Sequence, residues 1–361
     1  MNVGLVGVPA SGKSTLFNAL TKGHAETGRF GSGRAEINRG HIEVPDARLD
    51  WIADVFQPKK RTYATIDFLD LPGISPGSTA KGSAAQIADL RNVDALLHVV
   101  RAFEDPAVPH PGGSVDPVRD MNDLEAELIV ADLGVVEKRL ARIESDLGKG
   151  VDREALGEER GMLEPLQSAL EDGKPLRGLG IDPDVQHKLR GYAFLTLKPV
   201  ILVANVAEEE ADGAESAAAL SRLAEKMGLA HLAISAKIEA EIDQMDDEEA
   251  AVFRKELGLG EGSRERVIRA AFGVLSLISF FTFAGDECRM WTIPRGSHAV
   301  EAAGKIHTDM ARGFIRAEVV AYDHLRAAGS WAAARETGHY RLEGKDYVMQ
   351  DGDCVMFRFN V

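Results

Sequence analysis

The run Gly7-Val8-Pro9-Ala10-Ser11-Gly12-Lys13-Ser14-Thr15 follows directly on the apolar stretch Val3 to Val6, and it restricts the fold more sharply than any other segment. The spacing G-x-x-x-x-G-K-S predicts a strand, a tight anion-binding loop and the start of a helix. Gly7 and Gly12 can take backbone conformations that a side chain forbids, so successive N–H groups converge on one concavity sized for phosphate oxygens. On this reading Gly7, Pro9, Ala10, Ser11 and Gly12 build the cradle. Lys13 reaches the β- and γ-phosphates, and Ser14 ligates Mg²⁺ through its hydroxyl. The helix over Thr15 to Leu20 aims its positive end at the anion.

The rest of the chain supplies the sheet that such a loop requires. Short β-rich runs at Ala64 to Leu69, Ala95 to Val100 and Val200 to Ala204 alternate with helical patterns, which predicts a mostly parallel sheet covered on both faces. Between Asn122 and Asp172 the pattern changes. Leu133, Val136, Leu140, Ile143 and Leu147 recur at intervals of three and four, and Leu156, Leu163, Leu166 and Leu170 answer them. That periodicity predicts an antiparallel helical hairpin turning at Gly148 to Asp152, with acidic residues in excess and its exposed faces solvated. Ser263 to Leu277 reads as a closing helix. Beyond it come short strands (Phe280 to Phe283, Cys288 to Ile293, Phe314 to Tyr322, Cys354 to Phe359) and a helix at Ala299 to Ile306, which predict a separate small α+β domain. The boundaries drawn from these shifts are residues 1–118 with 191–277 for the nucleotide-binding part, 119–190 for the hairpin and 278–361 for the last domain.

With 361 residues, 45% of them hydrophobic and 27% charged, the chain has the composition of a globular protein of two or three domains. A formal net charge of −15 gives a field that favours neither DNA nor an anionic membrane, so any RNA contact must be local. Cys288 and Cys354 form no metal-binding or redox spacing and read as buried, inert thiols suited to a reducing cytosol. The N-terminal apolar segment is explained by the first strand rather than by a targeting signal. Val274 to Ala284, the longest apolar run, is too short to span a bilayer.

Two further motifs carry chemistry. Ile66-Asp67-Phe68-Leu69-Asp70-Leu71-Pro72-Gly73 is a strand ending in Asp-x-x-Gly. Asp70 at its carboxyl edge can hold Mg²⁺, and the Gly73 N–H can sense a γ-phosphate. Asn205-Val206-Ala207-Glu208 ends one strand, and Ser235-Ala236-Lys237 follows another. Switches of the GTPase type read the base with Asn-Lys-x-Asp and Ser-Ala-Lys. Here Val206 replaces the lysine that packs along the base and Glu208 the aspartate that accepts both guanine N–H donors, so the guanine code is damaged.

Together these residues resemble the YchF subfamily of Obg-related P-loop NTPases over nearly the whole chain. The likeness includes Lys13 to Lys22, Pro45-Asp46, Arg48-Leu-Asp50, His98-Val-Val-Arg101, Phe194 to Pro199 and Asn205-Val-x-Glu208. It continues with Trp291 to Pro294, Ala303 to Asp309, Gly313 to Ala317, Glu343 to Tyr347 and Asp351-Gly-Asp353. The resemblance implies an α/β fold: a Ras-like G domain interrupted by a coiled-coil hairpin, then a β-grasp TGS domain. It also implies ATP binding at least as good as GTP binding, slow hydrolysis and association with the ribosome or its RNA. Family members usually carry Asn-Val where this chain has Ala10-Ser11. By register to Pro45-Asp46, Arg34 stands where a family threonine would cover Mg²⁺. A guanidinium cannot ligate a metal, so Arg34 either contacts the γ-phosphate or lies on a loosened surface. The stretch from Pro72 to Gly82 also departs from the family's glycine-rich run. Ile74 occupies the place of the water-orienting glutamine of many GTPases, and the resemblance points instead to His110, in a Pro/Gly-rich segment that reads as exposed and adjustable.

The function these features imply is a cytoplasmic, Mg²⁺-dependent hydrolase of ATP, with GTP as the alternative nucleotide. Lys13, Gly73 and His110 are its catalytic candidates. Asn205, Val206, Glu208, Ser235 and Ala236 are the base-side candidates, and Ser14 and Asp70 the metal ligands. The rival reading is a nucleotide-binding interaction protein that no longer hydrolyses. A small-molecule kinase is disfavoured because neither an acceptor-pocket motif nor a lid arginine cluster is visible.

Overall fold

The computed structural model describes residues 1–23, 37–75, 77, 84–210, 215–284 and 286–360. Arg34 and most of the stretch from 76 to 83 lie outside the described residues. In chain order the elements are β1 (Asn2–Val6), α1 (Lys13–Thr21), β2 (Asn38–Glu43), α2 (Ala47–Phe56), β3 (Lys60–Thr62), β4 (Thr65–Asp70), α3 (Ala84–Leu90), β5 (Ala95–Ala102), α4 (Pro117–Gly148) and α5 (Arg153–Glu171). Next come α6 (Pro183–Leu189), β6 (Val200–Val206), α7 (Ala218–Met227), β7 (Ala230–Ile234), α8 (Ala236–Ile242), α9 (Asp247–Glu256) and α10 (Ser263–Val274). The last group is β8 (Leu277–Ala284), β9 (Glu287–Pro294), α11 (Ala299–Ile306), α12 (Thr308–Arg312), β10 (Phe314–Ala321), α13 (Tyr322–Ala328), α14 (Trp331–Glu336), β11 (Arg341–Glu343) and β12 (Asp353–Phe359).

Contacts divide the chain into two units, the first made of Met1–His41 and Asp67–Val274. Its sheet runs β2-β4-β1-β5-β6-β7, with β1 parallel to β4 on one side and to β5 on the other. The order reverses at β1, so the loop after Val6 leaves the sheet at the switch point where open α/β sheets bind ligands. Every residue of β5 and β6 is buried, the mark of strands covered on both faces.

Helix α4 begins with Pro117 at its first turn and Asp116 as cap, its carboxylate accepting the Arg119 N–H. Met121 packs with Ala102, Ala204 and Val206, which sets the start of α4 over the carboxyl ends of β5 and β6. Farther along, Ile129, Val136 and Ile143 meet Leu156, Leu163, Leu166 and Leu170 of α5, so the hairpin has its own apolar seam. Not all of the hairpin's acidic residues lie on its exposed faces, because Asp120, Glu127 and Asp132 of α4 are buried. Asp132 is wholly buried and accepts the Leu195 and Thr196 N–H groups at 3.0 and 2.8 Å and the Thr196 hydroxyl at 2.9 Å, beside the Arg91 guanidinium at 3.2 Å. Lys198 adds bonds to the carbonyls of Arg91 and Val93. The segment Phe194 to Pro199 is thus a polar splice that returns the chain to β6.

The second unit comprises Ile42–Ile66 and Leu275–Val361. Its sheet runs β11-β10-β12-β8-β9-β3, with antiparallel β8–β9 and β10–β12 pairs, a parallel β12–β8 junction and β3 added parallel to β9. Phe280, Ile293, Ala302, Ala303, Val319 and Val355 form its core. The sequence boundary at 278 follows chain order, whereas contacts place residues 42–66 here. Strand β3 pairs with β9, Trp51 and Phe56 pack against Tyr322 and Phe283, and Arg48, held by the α2 cap Asp46, reaches Asp351 at 2.7 Å.

Asp132→Ala leaves three buried donors, the Leu195 and Thr196 N–H groups and the Thr196 hydroxyl, without their acceptor and removes the carboxylate beside the half-buried Arg91, which costs about 3 kcal/mol of unfolding free energy. Urea unfolding of the full chain is expected to show a lower midpoint for Asp132→Ala, with Asp132→Asn between it and wild type.

Candidate functional site

The loop after β1 is shaped by close approach. A Cβ on Gly7 (φ 151°) would lie 2.3 Å from the Val99 carbonyl oxygen, and one on Gly12 (φ 89°) only 2.1 Å from the Asn205 side-chain nitrogen. Neither position tolerates a side chain. Ala10 takes φ 62°, a left-handed conformation that is strained for alanine. Lys13 and Ser14 then open α1, with Thr15 in its first turn.

Lys13 is buried, and its ammonium donates to the carbonyls of Val8 at 2.8 Å and Gly7 at 3.2 Å. Burial pulls its pKa down to about 8, opposed by the charge of Asp70. On the neighbouring strand β4, Asp70 accepts the Ser14 hydroxyl at 2.7 Å and an amide hydrogen of Asn38 at 3.4 Å. Its second oxygen is buried without a partner among the described residues. A hydroxyl and a half-satisfied carboxylate form a donor set that fits a hard divalent cation completed by phosphate and water oxygens. Among the described residues no group of three or more His, Cys, Asp or Glu could hold a metal on its own.

The Asp70-x-x-Gly73 turn is packed onto the loop. A Cβ on Gly73 would meet the Pro9 nitrogen at 2.7 Å, and the Ile74 N–H donates to the Gly7 carbonyl at 3.1 Å. Ile74 itself is buried with Leu69, Leu71 and Ile87, where no water could be oriented. Asn205 joins the third element. Its amide donates to the Ser11 carbonyl at 2.9 Å and its oxygen accepts the Ala236 N–H at 3.0 Å, so β6 brackets the phosphate loop to the Ser235-Ala236 turn. The hydroxyls of Ser11 and Ser235 are buried without partners among the described residues. Glu208, just past β6, pairs with Lys237. Val206 is buried against Ala217 and Leu220, so it faces the core and not this group.

His110 differs from expectation. Its loop is largely exposed, but the imidazole is 4% exposed, with Nε2 2.7 Å from Asp120 and Nδ1 accepting the Gly112 N–H at 3.0 Å. Arg119 holds the other Asp120 oxygen. A buried carboxylate one turn into α4 draws the ring inward. Sequence reasoning missed Asp120, as it missed Asn38 and Glu127, whose carboxylate accepts the Gly77 N–H at 2.6 Å. For Asp120 a signal existed, since Asp116-Pro117 marks a helix start and places Asp120 in its first turn.

A phosphate loop at the switch point of a parallel sheet, backed by Asp-x-x-Gly and bracketed by a strand-end asparagine, defines a P-loop NTPase of the GTPase type. Two family models match, one described as a 50S ribosome-binding GTPase over residues 2–133. The other, the YchF GTPase C-terminal domain, is described as a protein of unknown function and covers 277–360. The chain is 41% identical over 367 residues to the ribosome-binding ATPase YchF of Bacillus subtilis, covering 100% of both chains. It is 41% identical over 364 residues to that of Pasteurella multocida, covering 99% of each. Among solved structures, the Schizosaccharomyces pombe YchF GTPase superposes with a TM-score of 0.85 at 30% identity, over 99% of this chain and 97% of that one. The chain belongs to the YchF family.

Asparagine tolerates the left-handed region better than alanine, so Ala10→Asn is expected to raise unfolding stability by about 1 kcal/mol. A denaturant titration that shows an unchanged or lower midpoint would contradict the strain assigned to this loop.

Proposed function

We propose that this protein is a nucleotide-operated switch that hydrolyses ATP slowly to ADP and phosphate, in the cytoplasm and in association with the ribosome. The observation that carries the reading is the fastening of three loops into one cradle: Gly7 to Ile74, Gly73 against Pro9, and Asn205 to both Ser11 and Ala236. Nucleotide chemistry is assigned to residues 1–118 with 191–277, and partner contacts to the hairpin 119–190 and the domain 278–361. The ribosome enters because the Bacillus subtilis and Pasteurella multocida relatives are named ribosome-binding ATPases. Among the described residues no helix is long and apolar enough to cross a membrane.

In this mechanism the loop amides and Lys13 hold the phosphates, and the Gly73 amide registers the γ-phosphate. Ser14 and Asp70 would hold Mg²⁺, which would supply neutralisation of phosphate charge. Asn205 and Glu208 face the base. The protein's contribution is chiefly positioning and electrostatics for in-line attack by water. His110 is the candidate for orienting that water once it leaves Asp120. The bonds at both its ring nitrogens favour a second reading, nucleotide binding without useful turnover. Single-turnover hydrolysis of radiolabelled ATP separates the two readings, since the second gives bound ATP and no released phosphate.

Lys13→Ala is expected to weaken triphosphate binding at least ~10-fold, because a charge-assisted contact in a buried nest exceeds about 1.4 kcal/mol. Calorimetric titration measures it, and undiminished affinity in a folded variant would remove the phosphate-loop assignment. ATP is expected to bind no more weakly than GTP, since Glu208 and Val206 stand in place of the guanine-reading pair. Competition against a fluorescent nucleotide checks this, and a GTP preference above ~10-fold would refute it.

A further inference from the structure

Glu208 and Lys237 follow the carboxyl ends of neighbouring parallel strands, β6 and β7, in a register that sets Asn205 beside Ile234. Their side chains form an ion pair, the ammonium seated on Oε1 of the carboxylate. The pair has a fixed base beneath it. Asn205 ties the turn after β7 to the phosphate loop, and the Ser235 hydroxyl, two residues before Lys237, is buried without a partner among the described residues. The bond to Glu208 and its charge, with smaller additions from Glu241 and Glu209, raise the pKa of the ammonium above the ordinary lysine value.

A free carboxylate offers two acceptors side by side, the complement of guanine's adjacent N1–H and N2–H donors. With an ammonium on one oxygen, the same place offers an acceptor beside a donor. The pairing edge of adenine presents the matching order, the N6 amino donor next to the N1 acceptor. Guanine set in the same register turns its O6 toward the carboxylate and its N1–H toward the ammonium, acceptor against acceptor and donor against donor, and a site built around one hydrogen-bond pattern discriminates against a ligand that leaves its groups unmatched.

We propose that Lys237 is a specificity-determining residue: seated on Glu208, it turns a guanine-type acceptor pair into an acceptor–donor pair that takes adenine. The assignment rests on the reading of Glu208 as base-facing. It places base choice in the two side chains jointly, so that Glu208 alone does not encode it.

The test measures dissociation constants for ATP and GTP, by competition with a fluorescent nucleotide, on the wild type, on Lys237→Met, and on Lys237→Met combined with Glu208→Gln. Lys237 is largely exposed, and thermal unfolding of each variant checks that the fold is kept. Lys237→Met is expected to weaken ATP binding and strengthen GTP binding, moving their ratio at least ~10-fold toward GTP. In the double variant the glutamine amide supplies one acceptor and one donor by itself, so the adenine preference returns without the lysine. A wild-type ratio retained in Lys237→Met would overturn the role of Lys237 while leaving the nucleotide site intact. Wild-type protein that binds neither nucleotide would overturn both.

Discussion

Asn205 is the constraint on which the nucleotide end of this fold depends. Its amide spans two loops that follow different strands, and the space it occupies is available only because residue 12 has no side chain. The neighbouring approach of the Val99 carbonyl to Gly7 is equally intolerant. The phosphate loop is therefore not a free turn that closes around a ligand. Its backbone is held tightly between strands, and the buried Lys13 ammonium donates to loop carbonyls. Desolvation of that cation is part of the design, since a charge poorly solvated by its own protein gains more from an anion.

Most of the fold could be read from local signals. The phosphate-loop spacing, the unbroken apolar strands and the leucine seams of the hairpin each express a period or a turn that neighbouring residues determine among themselves. The assignment of residues 42–66 could not be read this way. The pairing of β3 with β9 and the Arg48–Asp351 contact join positions far apart in the chain, and nothing in Pro45-Asp46 or Arg48-Leu-Asp50 names the distant partner. In the structure Asp46 is a helix cap and an anchor for an arginine.

The candidate site divides in the same manner. Lys13, Ser14, Asp70, Gly73 and Asn205 converge as their spacing requires, because each sits at the carboxyl edge of a parallel strand or on the loop that follows one. Val206 does not, since the residue after a strand-end asparagine alternates to the other face and meets the core. His110 shows a different limit. Proline and glycine correctly mark an exposed backbone, yet the fate of one ring on that loop is decided by a carboxylate ten residues later.

That carboxylate belongs to a pattern on α4. Asp120 and Glu127 are two turns apart and so project from one face of the helix, toward the His110 loop and toward Gly77 beyond the Asp-x-x-Gly turn. Asp132, rotated away from them, holds the splice into β6. A buried carboxylate is stable only while its donors stay in place, and leaving one unpaired costs far more than the bond contributes. Each loop that departs from α4 must therefore find its carboxylate another partner, or water must enter. Helix α4 continues past these contacts into the hairpin without a break, its seam with α5 formed by Val136 and Ile143. Both loops are thus fastened to the base of the same continuous helix that carries the hairpin seam.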